Sequence, residues 1–246
     1  MMLFSKIKHY IEENNIYIHY YCYRVYHIQV AEFNQSPNVI IKEYNPELHN
    51  NFHQLWIADK YYLPSWNDRF IIQDGGFSKF NKYYLYFYNK FLALHEIPIT
   101  IEQFGYEDPD LLQRSSMFAT RWPEVFEHID VLILNSTPQS GQYTKNNADW
   151  NAFVYKMNKK YRVITTEPVQ DILCTQNYYL SIKDIAALST QVKKVVAVNS
   201  GVLCGLFNTY TMENVDVIYY FDDDTRYVLP KLVHITDINT LYENHF

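Results

Sequence analysis

Glycine is scarce in this chain, with 6 residues among 246. A sequence that uses so little glycine has few places where the backbone turns left-handed or admits another group at contact distance. The places where glycine does occur therefore narrow the search for a site. Gly201 and Gly205 fall close together in VVAVNSGVLCGLF (195–207), and Gly75-Gly76 follow Asp74 in QDGGF (73–77). Cysteine is also sparse. Cys22, Cys174 and Cys204 lie far apart and form no Cys-x-x-Cys pair, so neither a zinc knuckle nor a dithiol redox motif is indicated. An odd count argues against a secreted disulfide fold. No apolar run approaches the length of about 18 residues that marks a membrane span. The start, MMLFSKIKHYIEENN, has no signal-peptide core or cleavage site. No long Lys/Arg run exists, and the formal net charge is −6, so the basic footprint that nucleic-acid binding needs is missing. The expectation is a soluble cytoplasmic protein with no nucleic-acid partner, no membrane span and no cofactor.

What is present is a substantial core. Hydrophobic residues make up 48% and charged residues 20% of the chain, and 246 residues suffice for two domains. Tyrosine is so frequent, at 24 residues, that a cluster such as YYLYFY (83–88) reflects composition rather than a stacking site. In the first half, Leu3, Ile7, Tyr10 and Ile11 predict a helix over 2–14. Strands are expected at 16–23, 38–44 and 54–59, and a long helix at 77–94. The second half alternates more regularly. VLILNS (131–136), YRVITTEP (161–168), KKVVAVNS (193–200) and VDVIYYF (215–221) read as buried strands. Helices at 148–160, at 182–192 with Ser181 as N-cap, and from Gly201 separate them, and Asp237 can start a last one. Such alternation predicts an α/β fold with parallel sheets and helices on both faces. The domains expected are residues 1–122 and 123–246.

In open parallel sheets, ligands bind outside the carboxyl ends of the strands. That rule selects the loops at 135–143, 166–170, 176–182 and 199–203. At Asn199-Ser200-Gly201 a strand meets a helix start, where N–H groups favour an anion and glycine admits close approach; a plain capped turn is the competing reading. At the other tip, Ser136, Thr137, Ser140 and Gly141 form a polar platform with Lys145 nearby for charge, or else a hydrophilic surface loop. Glu167 beside Pro168 can accept sugar hydroxyls or stand as a solvated acid.

The stretch SIKDIAALSTQVKKVVAVNSG (181–201) resembles the second half of two-domain glycosyltransferases of the GT-B architecture, nearest the heptosyltransferase-like group of family 9. The matching features are a helix entered by Ser181 with Asp184 and a Leu-Ala-Ala-like core, then a strand running into Asn199-Ser200-Gly201. The earlier loop with Ser136 and Thr137, followed by Trp150 on a helix, fits as well. The resemblance covers about residues 128–220. It implies two Rossmann-like domains, the first abbreviated, because the first strand and its base-bearing loop are missing ahead of LFSKIKHYIEENN. It implies a nucleotide-diphosphate-sugar donor bound through Ser136, Thr137, Lys145, Glu167, Ser181, Asn199, Ser200 and Gly201. It further implies glycosyl transfer to a hydroxyl acceptor without a required metal. A catalytically inactive relative serving as a binding or scaffolding module is the alternative. Where the family commonly carries a His shortly after the glycine, this chain has Leu203 and Cys204.

Three acidic or histidine patterns complete the reading. Asp74 is the candidate general base, with an Asp-Gly turn as the competing explanation. FDDDT (221–225) has an Asp-x-Asp spacing, Asp222 and Asp224, that suits a divalent cation. Only 22 residues follow it, so it reads instead as a solvated turn. His49 and His53 have the spacing of helical zinc ligands but no accompanying Glu, so no metal site is expected.

Overall fold

The computed structural model describes residues 1–44, 85, 88–89, 92–93, 95–138, 143–222, 227 and 229–246. The chain divides into two units, Met1–Tyr106 and Glu107–Phe246.

In the first unit, the helix expected over 2–14 is broken at Ile7 (φ −108°, ψ 8°) into α1 (Met2–Lys6) and α2 (Lys8–Glu13). Leu3, Phe4, Ile7 and Ile11 share one core with Val39, Leu92, Ile97 and Ile101. Strand β1 (Ile18–Cys22) pairs in parallel with β2 (Val39–Glu43), Ile18 opposite Val39. A parallel pair requires a crossover, and α3 (His27–Glu32) lies within it. The buried Asn38 side chain donates to the Ile11 and Ile16 carbonyls at 3.0 and 3.2 Å, which ties the start of β2 to the end of α2. Residues 85, 88–89 and 92–93 are helical, within the helix expected at 77–94. The strand expected at 54–59 lies outside the described residues.

The second unit is built on a five-stranded parallel sheet. It comprises α4 (Asp110–Arg121), α5 (Pro123–Phe126), β3 (Val131–Leu134), α6 (Asn147–Asn158), β4 (Val163–Thr165), α7 (Ile182–Ser189), β5 (Lys194–Val198), α8 (Gly201–Gly205), α9 (Thr209–Asn214), β6 (Val217–Phe221), β7 (Leu232–Ile235) and α10 (Ile238–His245). The strand order is β4-β3-β5-β6-β7. All neighbours pair in parallel. The central strands are apolar on both faces because helices cover both. Val131, Ile133, Val196, Val198, Tyr219 and Phe221 pack against Trp150, Phe153, Val154 and Met157 of α6 and Ile238 and Leu241 of α10. By the two-residue alternation of a strand, Leu132, Leu134, Val195, Ala197 and Ile218 turn to the other face, where α7 lies; all are fully buried. Each such aliphatic side chain contributes about 1.5–3 kcal/mol on burial.

Strand β7 was not expected from the sequence; its residues are only partly buried, so its apolar pattern is diluted. The structure also groups residues 107–122 with the second unit, whereas the sequence suggested a boundary after 122. The reason is a charge network. The Lys183 ammonium on α7 lies 2.8 Å from Asp108 Oδ2 and 2.9 Å from Asp110 Oδ2. Arg114 on α4 reaches Asp110 Oδ2 at 2.8 Å and Asp184 Oδ1 at 2.6 Å. Next to it, Thr190 donates to Ser115 Oγ at 3.2 Å.

Lys183 and Asp108 are both buried, and removing one partner strands the other charge. Lys183→Ala is expected to lower unfolding free energy by about 3–5 kcal/mol in denaturant titrations, and Arg114→Ala, at a more exposed pair, by less. Burial alone would raise the Asp110 carboxyl, but hydrogen bonds from Lys183 and Arg114 outweigh it and hold it below its ordinary value of 3.8. A carboxyl depressed on folding stabilises the fold above its unfolded pKa and loses that contribution as pH falls through the folded one. Stability carried by Asp110 should therefore hold at neutral pH and decline below about pH 4, and an Asp110→Asn variant should lose that part of the acid slope.

Candidate functional site

Counted within the unit, the strand order is 2-1-3-4-5, and the chain reverses direction across the sheet between β3 and β5. That is the topological switch point, where the loops leaving two adjacent strand ends part to opposite faces. Here those loops begin at Asn135 and Asn199, because both inner strands end in an asparagine: VLILN and VVAVN. By the parallel pairing, residues 135–138, 166–170 and 199–203 follow strand ends at this carboxyl edge, and 176–182 follow the Thr165–Cys174 bridge.

Asn135 is 2% exposed. Its Oδ1 accepts from the Thr166 and Glu167 amides at 3.0 and 2.8 Å and from the Thr166 hydroxyl at 3.2 Å, while its Nδ2 donates to the Glu167 carbonyl at 3.2 Å. This fastens the tip of β3 outward to the end of β4. Ser136 donates to Thr166 Oγ1 at 2.8 Å. The Thr137 amide donates to Glu167 Oε1 at 3.1 Å, and the Lys145 ammonium to Glu167 Oε2 at 2.9 Å. Lys145 also donates to the Asn135 carbonyl. Its side chain is 4% exposed, against 36% for Glu167. The sequence-selected Ser136, Thr137, Lys145 and Glu167 are thus brought into one hydrogen-bonded group around Asn135.

Asn199, 3% exposed, mirrors this arrangement on the other side. Its amide donates to the Phe221 carbonyl at 2.9 Å. Its Nδ2 donates to Asp222 Oδ2, and its Oδ1 accepts from the Tyr227 hydroxyl at 2.8 Å. The tip of β5 is so fastened outward to β6. Asp222, expected in a solvated turn, is 3% exposed and belongs to this buried network. Its carbonyl accepts from His234 Nε2 on β7 at 2.8 Å, which requires the proton on Nε2. The sequence misplaced Asp222 because β7, which supplies that contact, carries little signal of its own. Asp222, Tyr227, Asn135 and Thr166 are the polar residues that sequence reasoning did not select. The repeated strand-final asparagine was the signal available for two of these tips.

Between the two tips the polar atoms are not used up. Among the described residues no hydrogen bond joins 135–138 to 199–201. Ser200 takes the N-cap position of α8 without capping it, and its buried Oγ has no partner among the described residues. A Cβ added at Gly201 would meet no atom within 4 Å, and Gly201 has no positive φ. Neither packing nor backbone geometry of the chain itself therefore calls for glycine there. Ser181, by contrast, is engaged in its own helix. Its Oγ accepts from the Asp184 amide at 3.2 Å and its amide donates to Asp184 Oδ2 at 3.0 Å, a capping box with Asp in place of Glu. Burial pushes the Cys204 thiol up to about 11, a contact with the Tyr227 hydroxyl offsetting part of the rise, so it is a neutral thiol at physiological pH. All three cysteines are free.

Asp74, Ser140, Gly141, Asp224, His49 and His53 lie outside the described residues. Among the described residues no group of three or more His, Cys, Asp or Glu side chains is arranged to hold a metal ion. No described helix is long and apolar enough to cross a membrane.

No protein-family profile matches the chain, and no curated protein is similar to it in sequence. A solved structure is similar in fold: the glycosyl transferase family 9 crystal structure from Veillonella parvula DSM 2008, with a TM-score of 0.52 and 11% sequence identity, covering 98% of this chain and 83% of that one. With its parallel sheets and two-faced helical cover, the chain has a glycosyltransferase-like α/β fold.

Proposed function

We propose that the second unit binds a nucleoside diphosphate sugar at the β3/β5 switch point and that the protein transfers the glycosyl group to a hydroxyl acceptor. The observation that carries this reading is the pair Ser200 and Gly201: a buried hydroxyl without a partner among the described residues, next to a glycine that the chain's own packing does not require. An unpartnered buried hydroxyl costs about 1–3 kcal/mol, and a ligand oxygen would remove that cost. The likeness in fold to a family 9 glycosyl transferase supports the choice of ligand class.

The Lys145 ammonium, the Thr137 amide and the Ser136 hydroxyl stand on the β3 side of the switch point and the Ser200 hydroxyl on the β5 side. In the proposed reaction the acceptor oxygen attacks the anomeric carbon. The bond from that carbon to the diphosphate breaks, and the diphosphate leaves with the electron pair. Charge grows on the leaving oxygen, where preorganised donors and a fixed ammonium stabilise it most. The acceptor's proton passes to a general base, for which Asp74 is the candidate. Asn135 and Asn199 act as struts that hold the donors apart at the right spacing, and Ser181 fixes the start of α7 beside them.

Gly201→Val and Ser200→Ala separate binding from folding. Neither should shift the melting temperature by more than about two degrees, since a Cβ at the exposed Gly201 meets no atom within 4 Å and the lost hydroxyl is unpaired among the described residues. Titration calorimetry across common nucleoside diphosphates and their sugars should give binding to the wild type that weakens about tenfold or more in Gly201→Val. No binding of any of these compounds to the wild type, or unchanged binding in the double variant, would remove the proposal.

A further inference from the structure

The two strongest anion donors on the β3 side are already engaged by an anion of the chain itself. The Glu167 carboxylate bridges them, Oε1 on the Thr137 amide at 3.1 Å and Oε2 on the Lys145 ammonium at 2.9 Å. The geometry is that of a bidentate guest, one oxygen on a backbone N–H and the other on a buried cation. The Glu167 main chain is pinned by Asn135 through its amide and its carbonyl. Its side chain is 36% exposed against 4% for Lys145, so the carboxylate can swing away without disturbing that frame. Lys145 cannot do the same, since it is buried and also held by the Asn135 carbonyl.

We infer that Glu167 is an internal stand-in for the ligand's anion and sets the charge that a ligand must carry to enter. A monophosphate can take the place of Glu167 on Lys145 and Thr137 but is too small to reach Ser200 as well, so it gains less by displacing the carboxylate. A diphosphate carries more charge and more acceptor oxygens, and it can span to Ser200 on the neighbouring tip, so it displaces the carboxylate. The released carboxylate is then free to accept hydroxyls of the ribose or sugar. Glu167 becomes a specificity residue for diphosphates over monophosphates. The inference rests on the donor-site reading above and assigns one of its residues a second state.

Inorganic pyrophosphate tests it, because it has the charge of the diphosphate and no hydroxyl for Glu167 to accept. Full-length wild type, Glu167→Gln and Glu167→Ala are titrated calorimetrically with phosphate, pyrophosphate and a nucleoside diphosphate. Removing the competing carboxylate should tighten pyrophosphate binding about tenfold in both variants, and should tighten phosphate binding as well, so that discrimination between the two narrows. Melting curves establish that both variants are folded, and the pair of substitutions separates loss of charge from loss of the hydrogen-bond acceptor. Pyrophosphate binding that is equal or weaker in both folded variants overturns the inference and leaves the donor site standing. If no form binds pyrophosphate or any nucleoside diphosphate, the donor site and the inference fall together.

Discussion

The parallel pairing of β3 with β5 is the constraint on which the second unit depends. These strands are adjacent in the sheet but not in the chain, and β4 lies between them in sequence. Consecutive connections must therefore leave in opposite directions, α6 to one face and α7 to the other. Because both faces are covered, the inner strands are apolar along their buried length, and polar residues gather at their ends. The buried asparagines at those ends are the point where apolar packing stops and hydrogen bonding begins. The Asn135 side chain makes four hydrogen bonds, all with Thr166 and Glu167 just beyond β4, and Asn199 makes three, with Phe221 and Asp222 at the end of β6 and with Tyr227. Among the described residues the region between the two tips is left without such fastenings, and it is there that the proposed donor site lies.

How much of this could be read beforehand follows from where the signal is local. The strands VLIL, VIT, KVVAV and VIYYF were legible because full burial on both faces leaves an uninterrupted apolar run. The face of α6 was legible from its spacing, and the Ser181–Asp184 capping box from three residues. What escaped was set by distant partners. Asp222 sits among three consecutive acids and looks solvent-bound, yet an asparagine 23 positions earlier and a histidine 12 positions later bury it. The allegiance of α4 is decided by Lys183, on a helix beyond two strands. The break at Ile7 interrupts a spacing that is helical throughout, so only the shape of the core around it could reveal the division.

The same distinction sorts the candidate residues. A polar residue at a strand end can serve the fold or a ligand, and sequence pattern treats both alike. Ser181 and Ser200 are both serines at helix starts in extended conformation. Ser181 caps its helix and is engaged on both sides, so the chain accounts for it. Ser200 occupies the same kind of position and does not cap. Gly201 and Gly205 divide similarly. Gly205 is buried, whereas Gly201 is exposed and a Cβ there would face open space. A residue for which the fold has no use is the stronger candidate for function than one that is merely polar and well placed.

Lys145 carries that argument furthest. A buried ammonium is costly unless paired, and a protein that needed only a stable loop could bury an apolar side chain there at less cost. The Lys145 side chain is kept buried and paired with a carboxylate whose side chain is 36% exposed. The asymmetry matters. A pair buried on both sides would be a permanent strut, as Lys183 and Asp108 are. A pair with one fixed and one movable member is an exchangeable contact, in which the fixed cation is always matched by some anion but not always by the same one. Such a contact keeps the charge balanced with either anion in place, which is how a cation can be held at the edge of an apolar sheet without destabilising it.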